Sequence, residues 1–116
     1  MLPSFRYVRP RTVAEAVKAL SEPGARAHAG GTDLVGCLRD GVFEAKAVVS
    51  LSGLSELKGI SATKDGGLRL GALTTLAEIA RHAEVAKGWP ALAQGAAAAA
   101  SPQLRNQGTL GGNLCQ

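Results

Sequence analysis

At 116 residues the chain is long enough to bury one core and too short for a large multidomain enzyme. Its 46% hydrophobic and 19% charged residues place it in the ordinary globular range and exclude a disordered tail. The formal charge of +4 permits an anionic partner without naming one; the basic group Arg6, Arg9 and Arg11 lacks the stripe of interleaved aromatics that nucleic-acid binding demands.

Glycine is abundant at 15 residues, whereas aromatics are limited to two Phe, one Tyr and one Trp. Special turns are therefore expected, around a core of Ala, Val and Leu. Cys37 and Cys115 are too few for a disulfide framework or a zinc site, so a reducing, cytoplasmic setting is expected. No secretory signal and no apolar run long enough for a membrane span is legible.

In chain order, Phe5-Arg6-Tyr7-Val8 before Pro10 reads as a short edge strand. Thr12 to Glu15 spells a capping box, opening a helix whose Val13, Ala16, Val17 and Leu20 share one face. Pro23-Gly24 ends it, and Ala25 to Ala29 reads as a strand running into Gly30-Gly31-Thr32-Asp33-Leu34. Thr32 or Asp33 can cap a second helix bearing Leu34, Cys37 and Leu38, which Gly41 closes. Ala47-Val48-Val49 then reads as a buried parallel strand, completing β-α-β-α-β.

Beyond that point Lys64-Asp65-Gly66-Gly67 predicts a hairpin turn with Leu68-Arg69-Leu70 returning. Thr75 to Glu78 is a second capping box, predicting one helix with Leu76, Ile79, Ala80 and Ala83 on a shared face and His82 at its surface. Gly88 and Pro90 separate it from an alanine-rich helix, from about 90 to 100, that Pro102 ends. The chain stops soon after Gly111-Gly112, as though cut short or completed by a partner.

The chemistry-bearing segments are Ala29-Gly30-Gly31-Thr32-Asp33-Leu34 and Gly108-Thr109-Leu110-Gly111-Gly112-Asn113. Paired glycines let main-chain N–H groups approach a ligand with no Cβ in the way, and successive N–H groups form an anion-binding concavity suited to a pyrophosphate. Equally, such pairs serve plain tight turns. No P-loop and no G-x-G-x-x-G fingerprint is present. Asp33 can bond a ribose or cap its helix. His28 precedes the first turn with no visible acid–base partner, and no nucleophile arrangement or metal cluster can be assembled.

With Gly71-Ala72-Leu73-Thr74-Thr75-Leu76-Ala77-Glu78 between them, AGGTDL and the run Arg105 to Cys115 resemble, in order and spacing, the FAD-binding subunits of the molybdenum hydroxylases. The resemblance implies an α+β FAD-binding fold of the vanillyl-alcohol-oxidase/molybdopterin-dehydrogenase type: a first FAD-binding lobe over 1–53 and an incomplete start of a second over 54–116. It implies FAD contacts from Ala29, Gly30, Gly31, Thr32, Asp33, Leu34, Thr109, Leu110, Gly111, Gly112 and Asn113, with no catalytic and no metal-binding residue. It also implies partners: a large subunit with the molybdenum cofactor and a small subunit with iron–sulfur clusters, whose electrons pass through the FAD to an acceptor. On this reading the protein is an FAD-dependent oxidoreductase subunit, inactive as an isolated fragment. Two rivals are a truncated or split subunit kept for assembly without FAD, and a free-standing anion-binding module.

Overall fold

The computed structural model describes residues 1–116 and divides them into two compact units, Met1–Ser55 and Glu56–Gln116. Strands and helices both contribute, and the architecture is α+β.

In the first unit, β1 (Arg6–Val8), β2 (Ala25–His28) and β3 (Ala47–Ser50) form a wholly parallel sheet in the order β1-β3-β2. Tyr7 pairs with Val48, and His28 with Ser50. The middle strand β3 is buried at all four positions, as its apolar run predicts. Helix α1 (Val13–Leu20) connects β1 to β2 and packs on β2 and β3; α2 (Leu34–Arg39) connects β2 back to β3. Because parallel crossovers are right-handed and these two run in opposite directions along the sheet, the helices cover opposite faces. Leu38 and Val48, with Ala45, form the core on the α2 face, joined by Phe5, Leu34 and Phe43.

Local details amend two expectations. Thr12 Oγ1 accepts the Glu15 N–H at 3.1 Å, but the Glu15 carboxylate turns back one residue further and accepts the Arg11 N–H at 2.9 Å, so the reciprocal box is not closed on Thr12. On α1 only Ala16 is buried, and Val17 is 60% exposed. At the end of α2, the Gly41 N–H bonds Leu38 and the Val42 N–H bonds Cys37, a Schellman closure made possible by φ of +70° at Gly41.

The second unit opens with an antiparallel hairpin, β4 (Ile60–Ala62) and β5 (Leu68–Leu70), turning where Lys64-Asp65-Gly66-Gly67 predicts, with Gly66 at φ +86°. The full capping box forms at Thr75 and Glu78. The single helix expected there is instead two, α3 (Leu76–Arg81) and α4 (Ala83–Gly88), broken at His82, whose ψ is 123°. An uninterrupted helix would turn Ala83 inward and Val85 outward; the break reverses this, leaving Ala83 exposed and Val85 at 0% exposure. Burying a valine side chain contributes about 1.5–3 kcal/mol, enough to favour the kink.

Helix α5 (Pro90–Ala98) starts on its proline and packs against α3 and α4 through the small Ala93 and Ala96. It ends before Pro102, because Ala99 is extended and Ala100 has φ of +49°; Arg105 Nη1 fastens this bend by donating to the carbonyls of Ala99 at 2.9 Å and Ala100 at 3.2 Å. Pro102 begins α6 (Pro102–Gln107) rather than merely stopping α5, and Ser101 caps it. The final element is α7 (Leu110–Cys115), so the second glycine pair lies in a helical first turn and not in an open loop. No helix is long and apolar enough to cross a membrane.

Candidate cofactor-binding site

The first glycine motif leaves the carboxyl end of β2. Gly31 has φ of +75°, and a Cβ there would lie 2.6 Å from His28 Nε2 and 3.2 Å from Val35 Cγ2, so the turn needs glycine for both its backbone and its space. The Gly31 carbonyl accepts the Val35 N–H, whereas the N–H groups of Gly30, Gly31 and Thr32 find no acceptor within the chain. Successive free N–H groups on such a turn can serve an anion.

Around the turn, Ala29, Gly30, Gly31 and Leu34 are half-buried, and Thr32 and Asp33 are exposed. Asp33 occupies the N-cap position of α2 without a side-chain cap bond; its Oδ1 accepts the Cys37 thiol at 3.7 Å. Burial, followed by the charge and hydrogen bond of Asp33 and the charge of Asp40, pushes the Cys37 pKa up, so the thiol stays protonated as the donor. His28 lies beneath the turn with its Nδ1 buried and unpartnered, which fits packing rather than proton transfer.

The second motif is built differently. The Leu76 N–H bonds the Gly108 carbonyl, the Leu110 N–H bonds Thr74 and the Gly111 N–H bonds Ala72, so residues 108–111 are stitched along residues 72–76. Thr109, buried, caps α7 by accepting the Gly112 N–H at 3.3 Å, and Thr109 O accepts the Asn113 N–H. A Cβ at Gly111 would meet the Ala72 Cβ and carbonyl oxygen, each at 3.0 Å. Here the expectation of free main-chain donors fails: this glycine permits backbone contact inside the protein, and the N–H groups from Leu110 to Asn113 are already engaged. What this segment offers a ligand is the exposed Asn113 side chain and a place beside an apolar groove of about 310 Å³ lined by Leu76, Ile79, Leu92, Ala96, Leu110 and Leu114.

The profile described as FAD binding domain in molybdopterin dehydrogenase matches residues 3–116. The chain belongs to this family. It is 37% identical over 110 residues to the xanthine dehydrogenase FAD-binding subunit of Escherichia coli O157:H7, covering 94% of the chain and 38% of that subunit. It is 40% identical over 114 residues to the aldehyde oxidoreductase FAD-binding subunit PaoB of Escherichia coli strain K12, covering 97% of the chain and 36% of that protein. Among solved structures, quinoline 2-oxidoreductase from Pseudomonas putida 86 superposes with a TM-score of 0.92 at 36% identity, over 98% of the chain and 40% of its counterpart. The fold of this family member is thus an α+β FAD-binding fold, and the chain spans about two-fifths of the length of these relatives.

Sequence reading passed over Ser50, which closes β3, and Ser52 and Gly53, which follow it at the same sheet edge as the first glycine turn. Ser50 is buried and its hydroxyl lies 3.0 Å from that of Ser52. The signal for them was topological: in an open parallel sheet the segments after every strand meet at the carboxyl edge, where ligands enter.

Proposed function

We propose that the chain supplies the diphosphate-binding portion of the FAD module in a molybdenum hydroxylase complex. The observation that carries this reading is the row of unpaired N–H groups at Gly30, Gly31 and Thr32, on a turn whose φ and crowding require glycine. A diphosphate fits such a turn because its oxygens accept hydrogen bonds without needing a cation at every position. Ala29 and Leu34 flank the turn, and Asp33 is placed to accept from a ribose hydroxyl. Thr109, Leu110, Gly111, Gly112 and Asn113 are the further proposed contacts; the N–H groups from Leu110 to Asn113 are engaged, so they offer FAD chiefly the Asn113 amide and apolar surface.

Bound FAD supplies electron exchange between the iron–sulfur clusters of a small partner subunit, fed by the molybdenum cofactor of a large one, and a terminal acceptor. The residues of this chain bind and orient; none performs acid–base or nucleophilic work. Retention of the lobe for assembly without FAD is the second reading, favoured by the internal bonding of the Leu110 and Gly111 N–H groups.

The test is flavin content of the complete polypeptide that carries this chain, purified with its complex. One FAD per chain, reduced sharply by Gly30→Val, supports the proposal. A folded, assembled protein whose extract contains no flavin supports the assembly reading instead.

A further inference from the structure

Resting on the FAD reading above, a second feature of the same sheet edge has chemistry that the glycine turn lacks. FAD carries a dianionic diphosphate, yet no residue from Ala29 to Leu34 or from Thr109 to Asn113 is cationic, and Asp33 adds a further negative charge at the turn. Neutral N–H groups alone leave that charge uncompensated.

The three strands of the first unit end side by side. Val8 closes β1 and is followed by Arg9; His28 closes β2 and leads to the glycine turn; Ser50 closes β3 and leads through Ser52 to Gly53. The connections after β1 and β2 leave toward opposite faces, so the end of the middle strand lies in the crevice between them, the position at which open parallel sheets receive ligands. Since His28 pairs with Ser50, the glycine turn leaves the sheet one strand away from Ser50–Gly53, about 5 Å in sheet spacing.

Arg9, exposed, lies against Gly53 beyond the end of the middle strand. A Cβ on Gly53 would lie 3.4 Å from Arg9 Nε, 3.8 Å from its Nη2 and 3.5 Å from the Pro10 carbonyl oxygen, so the bare Gly53 is the shelf on which the guanidinium rests. Other guanidinium groups of the unit are engaged: Arg6 with Glu22 at 2.7 Å, Arg39 with Asp40 at 3.0 Å, and Arg26 over the Phe43 ring at 4.2 Å. Arg9 makes no ion pair. Arg11 makes none either, but it lies beyond the buried Pro10, on the approach to α1.

We infer that Arg9 is a cofactor-binding residue whose guanidinium, seated on Gly53, pairs with the FAD diphosphate held by the Gly30–Thr32 turn and offsets one of its two negative charges. Buried Pro10 fixes the backbone next to it, and the Ser50 and Ser52 hydroxyls, 3.0 Å apart, belong to the end of the middle strand and the segment after it.

The experiment compares FAD with riboflavin, which has the same ring system and no phosphate, on the deflavinated complete polypeptide and its variants at low and high salt. Arg9→Gln is expected to weaken FAD about tenfold, leave riboflavin unchanged and flatten the salt dependence. Arg9→Lys keeps most of that salt dependence, and Gly53→Leu, which displaces the guanidinium without removing it, weakens FAD as Arg9→Gln does. Unchanged FAD affinity in Arg9→Gln overturns the assignment while leaving the FAD reading standing. Equal losses for FAD and riboflavin, or a lowered thermal midpoint in both Arg9 variants, mark a structural residue and overturn it too. A parent protein that takes up riboflavin but gains nothing from the diphosphate overturns both.

Discussion

Gly31 concentrates more constraint than any other residue of the first motif. Its positive φ and the 2.6 Å approach to His28 Nε2 mean that a side chain must strain the backbone and push the imidazole aside at once. Gly31→Val is expected to lower unfolding stability by about 1–3 kcal/mol and to reduce FAD uptake; denaturant titration and flavin release measure the two separately. The cysteines provide a second check at this scale. Cys37 is half-buried with its pKa raised by burial and Asp33, and Cys115 is exposed, so a small alkylating reagent at neutral pH should modify Cys115 first. Faster labelling at Cys37, read by peptide mass spectrometry, contradicts the placement of its thiol.

Among the elements, α3 is the best specified, because Thr75 Oγ1 accepts the Glu78 N–H at 3.1 Å while the Glu78 carboxylate accepts the Thr75 N–H at 2.9 Å. Thr75→Ala should cost about 1 kcal/mol, and Thr12→Ala, whose box is not reciprocal, should cost no more. In the β4–β5 hairpin the Thr63 hydroxyl, and then the Gly67 N–H, hold the Asp65 carboxyl below the usual carboxylate range. A carboxyl whose folded pKa is depressed stabilises fully above its unfolded pKa and loses that contribution as pH falls through the folded one. Acid titration should therefore loosen the turn below the ordinary Asp range, and Asp65→Asn should remove this dependence, as followed by turn amide shifts.

The capping box at Thr75, the N-cap at Thr12 and the Asp65-Gly66 turn were legible because each is a local contract between residues a few positions apart. The break at His82 was not, because it answers to the burial of Val85 against other elements, a non-local demand that outweighs helix continuity. The bend at Ala100 was hidden for a similar reason: the side chain that ties it, Arg105, lies in the next helix.

For the molecule as a whole, the parallel β-α-β-α-β order of the first unit and its buried middle strand followed from apolar runs and helix signals alone. The two glycine motifs look alike as letters but differ in use. One has free N–H groups on a positive-φ turn; the other spends its N–H groups on Ala72 and Thr74, which only the register of residues 108–111 against 72–76 reveals. Composition could not show either this or the seat of Arg9, since both depend on which segments the fold sets side by side.

Backbone amide NMR during ligand titration of the complete polypeptide tests the central claim directly. The account predicts that FAD and ADP each shift the N–H resonances of Gly30, Gly31 and Thr32 more than any others in Met1–Ser55, and that riboflavin does not. FAD binding with those three resonances unmoved would contradict it.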